Sequence, residues 1–155
     1  MGQGVRPAGA GADREAELSL RGLLESSLYV EDLARARAFY TEVLGLRVLR
    51  EDERFCGLEV AGRSVLLLFV KRGTLEPVRM PGGTIPPHDG EGHLHLAFAI
   101  GRDELDEWER RLRDAGVEIE SRAEWDAGGA SLYFRDPDGH LVELATPGLW
   151  SFTSG

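Results

Sequence analysis

The sequence predicts an α+β fold: two βαβββ modules whose curved mixed sheets enclose a cleft. Three observations predict it. Several short segments alternate apolar and polar residues, as half-buried strands do. Two longer segments carry apolar residues at helical spacing instead. The order strand, helix, strand, strand, strand occurs twice along the chain.

The first module spans residues 22–70. Residues 22–31, GLLESSLYVE, read as a strand. Asp32 is placed to cap a helix, and LARARAFYTEVL (33–44) has apolar residues at 33, 36, 39, 40, 43 and 44. Gly45 is the stop. Strands follow at 46–52, 54–60 and 63–70, the last two joined by a turn at Ala61-Gly62. Residues 71–92 contain nine glycines and prolines and are expected to be loop throughout. A loop of that length in a small domain is commonly functional.

The second module spans residues 93–147. HLHLAFAI (93–100) reads as a strand, and Asp103 as a cap. ELDEWERRLRDA (104–115) reads as a helix with apolar residues at 105, 108, 112 and 115, ending at Gly116. Strands are expected at 117–123, 130–135 and 140–145.

The two halves repeat. Glu25 stands seven residues before Asp32 and twenty before Gly45; His95 stands eight before Asp103 and twenty-one before Gly116. One inserted residue aligns them. A lone βαβββ unit has an apolar sheet face that it cannot bury by itself, whereas two can bury theirs together. Residues 22–150 are therefore read as one domain. It is preceded by a Gly- and Ala-rich leader (1–21), expected to be disordered, and followed by a short tail (151–155).

Composition narrows the functional classes. With 18 basic and 27 acidic residues the formal net charge is −9, which argues against a nucleic-acid partner, because that binding draws on clustered positive charge. No apolar run approaches the roughly 20 residues of a membrane span; the longest, Val65–Val70, is strand-sized. Cys56 is the only cysteine, so no intrachain disulfide or Cys-rich metal motif is possible, and it is expected as a half-buried strand residue. A cytoplasmic location is the default expectation.

The informative residues are polar ones that interrupt strands. Side chains alternate with period two, so Leu23, Glu25, Ser27 and Tyr29 share a face, as do His93, His95, Ala97 and Ala99, and Leu141, Glu143 and Ala145. A carboxylate among apolar strand residues needs a partner. Glu25 and His95 hold matching places in the repeat, which brings them together across a pseudo-twofold axis, and Glu143 converges from the end of the second module. Two carboxylates and an imidazole suit one divalent metal ion and leave coordination positions open for water or substrate. Iron, manganese, zinc, nickel and magnesium all fit that oxygen-rich set.

Four stretches give the chain a family likeness: ESSLYVEDLARARAFYTEVLGLRV, HLAFAI, DELDEWERRLRDAGVEI and LYFRDPDGHLVEL. Over about residues 22–147 it resembles the vicinal oxygen chelate superfamily, which includes glyoxalases, fosfomycin resistance proteins, extradiol dioxygenases and bleomycin-binding proteins. The resemblance implies metal positions at Glu25, His95 and Glu143. It implies a metal acting as Lewis acid on a small substrate that chelates through neighbouring oxygens, with Glu143 or Glu25 as transient base and Tyr133 near the reacting atoms. The further carboxylate of glyoxalases falls here on Leu66 or Leu67.

The expected function is thus a metal-dependent enzyme of lyase, isomerase or dioxygenase type; the alternative is a non-catalytic binder of a small molecule such as an antibiotic. A homodimer is expected, with the modules pairing either within one chain or across the dimer. His93 and His88 are candidate substrate contacts. His140 is expected to be exposed in its turn, Trp125 and Phe98 to be packing residues, and Arg47 and Arg135 to be solvated.

Overall fold

The computed structural model describes residues 17–152. The leader expected over 1–21 falls mostly outside them, as do residues 153–155 of the tail.

The chain order is β1 (Glu25–Val30), α1 (Leu33–Ala38), β2 (Arg47–Glu51), β3 (Phe55–Val60), β4 (Ser64–Val70), β5 (Val78–Met80), β6 (Gly83–Ile85), β7 (His95–Ala99), α2 (Leu105–Asp114), β8 (Ser121–Glu124), β9 (Ala130–Arg135) and β10 (Leu141–Ala145). Two four-stranded mixed sheets result, ordered β1-β4-β3-β2 and β7-β10-β9-β8. Each has one parallel pair, β1 with β4 and β7 with β10. The repeat read from the sequence is thus a repeat of topology. It extends to single hydrogen bonds: the Val65 amide donates to the Leu24 carbonyl and the Leu141 amide to the Leu94 carbonyl, both at 2.8 Å. Leu24 and Leu94 immediately precede Glu25 and His95.

Local chemistry sets the boundaries. Asp32 caps α1 by accepting the Arg35 amide. Gly45 and Gly116, at φ of 76°, end the two helical segments in the left-handed region. The first helix differs from expectation: after Ala38 it widens into a π-helical turn, Phe39–Val43. The second is capped at Glu104, without a side-chain bond, rather than at Asp103.

Residues 71–92 are not all loop. Val78–Met80 and Gly83–Ile85 pair as a short antiparallel hairpin. Pro77 and Pro81 flank β5, and Pro86 follows β6, so the prolines bound the strands and take no ladder position.

One core joins the modules. It contains Leu28, Val30, Ala36, Tyr40, Cys56, Leu58, Leu66 and Leu68 from the first, with Leu105, Leu112, Leu132, Phe134, Val142 and Leu144 from the second. Cys56 is fully buried, not half-buried, and burial pushes its thiol pKa up. The helices thus cover one face of each sheet. The opposite face of the second sheet stays open at His95, Ala97 and Ala99, all exposed. Among the described residues, no helix is long and apolar enough to cross a membrane.

His140 corrects the sequence reading most sharply. It is fully buried, not exposed. Its Nδ1 accepts the Leu94 amide at 2.9 Å, so its Nε2 carries the proton and donates to the Tyr29 carbonyl at 2.8 Å. One imidazole therefore bridges β1 to the start of β7. Close by, the Tyr40 hydroxyl donates to Asp136 at 2.8 Å, and the Glu31 amide to Asp138 at 2.8 Å.

Candidate metal centre

Glu143 sits in the middle of β10, opposite Ala97 on one side and Tyr133 on the other. His95, opposite Leu141, is diagonal to it on the same face. Their side chains meet: His95 Nε2 lies 3.2 Å from Glu143 Oε1. The imidazole is oriented from behind, because Nδ1 lies 3.0 Å from the Leu141 carbonyl, which can only accept. Nδ1 therefore carries a proton, and Nε2 is the ring nitrogen left to face Glu143. That orientation, Nδ1 on a carbonyl and Nε2 toward the open face, is the one a metal-binding histidine takes.

Glu143 is 4% exposed. Its second oxygen, Oε2, accepts the Ser131 hydroxyl at 2.5 Å, and Ser131 in turn accepts the Trp125 indole N–H at 2.9 Å. Tyr133 is loosely stacked on His95, ring centres 6.4 Å apart. Burial, then the nearby Glu143 charge, push the Tyr133 pKa up, so its phenol keeps its proton at neutral pH.

Glu25 does not join this pair within the chain. It begins the edge strand of the other sheet, paired with Val65, and is exposed. Among the described residues no group of three or more His, Cys, Asp or Glu converges to hold a metal. What one chain offers is two donors, one nitrogen and one oxygen, of the type a divalent ion takes, on an uncovered face.

The other expected residues are placed as follows. His88 folds back onto the first sheet: its Nδ1 and the Tyr29 hydroxyl share a hydrogen bond of 2.6 Å, and its ring packs edge-on against Phe69 at 4.7 Å. Gly90 lies so close to Tyr29 that a Cβ there would fall 2.3 Å from the ring. His93 is exposed and packs over Gly139. Arg47 and Arg135 are both exposed, and pair with Glu59 and Glu120. Phe98 packs against the core, as expected. Trp125, expected as packing, is a hydrogen-bond donor. Ser131 joins the site unexpectedly; its place two residues before Tyr133, on the face of Glu143, is the signal in the sequence.

Two βαβββ modules forming paired mixed sheets define a class of fold, and comparison with known proteins agrees on that fold. Residues 22–144 match the model of the glyoxalase/bleomycin resistance protein/dioxygenase superfamily, and the chain belongs to that superfamily. It is 30% identical over 118 residues to the metallothiol transferase FosB of Bacillus licheniformis, covering 76% of this chain and 70% of that protein. It is 30% identical over 127 residues to the glutathione transferase FosA of Serratia marcescens, covering 81% and 80%. Among solved structures, lactoylglutathione lyase from Agrobacterium tumefaciens superposes with a TM-score of 0.78 at 32% identity, covering 86% of this chain and 98% of that one. The fosfomycin resistance protein FosX from Listeria monocytogenes, solved with Mn(II) and sulfate, gives 0.63 at 25% identity, covering 84% and 94%.

Proposed function

We propose that this chain is a metal-dependent enzyme that works as a homodimer. His95 and Glu143 of one copy and Glu25 of a second hold a single divalent ion. The observation that carries the reading is the His95 Nε2–Glu143 Oε1 approach of 3.2 Å, with the imidazole oriented by the Leu141 carbonyl.

Several features support the second copy. β1 and β7 are edge strands of their sheets, each with one side not paired to another strand among the described residues. Glu25 opens β1 and His95 opens β7, so pairing the two edges about a twofold axis sets these residues side by side. Leu23 and Leu24, just before β1, are 77% and 71% exposed, which is apolar surface that a neighbouring copy would cover.

A bound divalent ion supplies a Lewis acid to two neighbouring oxygens of a small substrate. The chain's own groups do the rest. His95 presents a fixed lone pair. Glu143 brings a negative charge that a dication offsets. Tyr133, protonated and opposite Glu143, donates a hydrogen bond to a substrate oxygen as charge develops there. The names of the relatives, thiol and glutathione transferases among them, favour transfer of a thiol to a small substrate over ring cleavage.

Protein purified without chelator and titrated with Mn(II) tests this. Uptake of about one ion per chain, lost in Glu143→Gln, is expected. Wild-type protein that takes up no Mn(II), nickel, zinc or iron would instead favour the non-catalytic binder.

A further inference from the structure

The geometry points to Trp125 and Ser131 as positioning residues that hold Glu143 as a one-oxygen metal ligand. The inference rests on the metal reading above and adds to it the device that sets the ligand.

The chain of bonds has a fixed direction. An indole N–H can only donate, so the Trp125–Ser131 bond of 2.9 Å uses the serine oxygen as acceptor. That leaves the single hydroxyl proton for Glu143 Oε2, 2.5 Å away. Ser131 is fully buried, so water does not compete for either bond. Bonds to an ionised acceptor are the strong ones, and donors in series reinforce each other. Oε2 is therefore sealed on the sheet side, while Oε1 faces His95 Nε2. Swinging Glu143 to offer both oxygens to an ion would break the serine bond and strand a buried hydroxyl.

Trp125 is itself built into place. It lies in the β8–β9 turn, where its amide donates to the Gly129 carbonyl and its carbonyl accepts the Gly128 amide. Gly128 and Gly129 have φ of 111° and 81°, and a Cβ on Gly129 would fall 2.6 Å from the Pro147 carbonyl oxygen. The turn thus requires glycine at 129 to bring the indole over Ser131.

The test is a double-mutant cycle read by Mn(II) titration, with circular dichroism confirming the fold of each variant. Ser131→Ala is expected to weaken Mn(II) binding about 10- to 100-fold, and Ser131→Thr, which keeps the hydroxyl, to restore most of it. Trp125→Phe is expected to cost a few-fold, and nothing further in the Ser131→Ala background, since the indole acts only through the hydroxyl. If Ser131→Ala does not fold, Trp125→Phe alone decides. Wild-type affinity in Trp125→Phe and Ser131→Ala, or additive losses in the double variant, would overturn the positioning role while leaving the metal site standing. A wild-type protein that binds no Mn(II) would overturn both.

Discussion

Leu67 and Glu143 occupy the same place in the two halves of the chain. Leu67 on β4 stands opposite Ser27, two residues beyond Glu25; Glu143 on β10 stands opposite Ala97, two residues beyond His95. The mate of Tyr133, by the same register, is Gly57. The first module thus keeps one donor and the second keeps two, so the proposed dimer has donors for one three-ligand site per chain.

That asymmetry can be altered by one substitution. Leu67→Glu puts a fourth donor on the face of Glu25. In the cross-dimer arrangement it is expected to tighten Mn(II) binding on the order of tenfold, since affinity follows the number of charged ligands. Isothermal titration of the variant measures this; unchanged or weaker binding in a folded variant would show that Leu67 does not face the ion.

His140 is expected to govern stability rather than chemistry. Removing it in His140→Ala leaves the Leu94 amide and the Tyr29 carbonyl without their partner inside the core, and opens a cavity. A loss of about 2–4 kcal/mol in denaturant unfolding is expected. A loss below half a kcal/mol, within the range of ordinary surface changes, would mean that water or a neighbour replaces the ring without cost.

Tyr40 should make the protein sensitive to alkali. Burial first, then the Asp136 charge, hold its pKa far above the ordinary tyrosine value. The folded state therefore keeps a proton that the unfolded chain loses above about pH 10. Stability is full below that pH and falls above it. Tyr40→Phe should lower stability at neutral pH by about 1–3 kcal/mol, because Asp136 loses a buried donor. It should also flatten the alkaline slope by up to one proton per chain. Tyr29, Tyr133 and Cys56, also raised, contribute to slope that remains.

Gly90 ties the 71–92 segment to the first sheet. Gly90→Ala forces the added methyl into the Tyr29 ring, so the Tyr29–His88 bond should break. Hydrogen exchange is expected to rise at His88, whose amide donates to the Thr74 carbonyl at 2.9 Å. Exchange unchanged at that amide would show that the segment shifts as a unit.

Much of this fold could be read from residues alone, because it depends on patterns that act locally. The alternation through Glu25 and His95, the cap at Asp32 and the stops at Gly45 and Gly116 are each set within a few residues. What escaped reading depends on contacts distant in sequence. His140 looked like a turn residue because its partners, Tyr29 and Leu94, are far away along the chain. The β5–β6 hairpin was hidden by the flanking prolines, which bound its strands without interrupting them. Trp125 and Ser131 meet Glu143 only once β8, β9 and β10 are paired. Of the metal set, the matching of Glu25 with His95 was legible. The separation of Glu25 from the other two within one chain was not, since a repeat fixes equivalence and leaves open which copy supplies each half.

The most direct measurement is therefore complementation. Glu25→Ala and His95→Ala chains, carrying different tags, are co-expressed and the mixed dimer purified. In the cross-dimer account one of its two sites has both substitutions and the other has neither. The mixed dimer should bind about one Mn(II) with wild-type affinity, while each parent homodimer binds none tightly. A mixed dimer that binds no better than its parents, or a Glu25→Ala homodimer with wild-type affinity, would contradict the shared site.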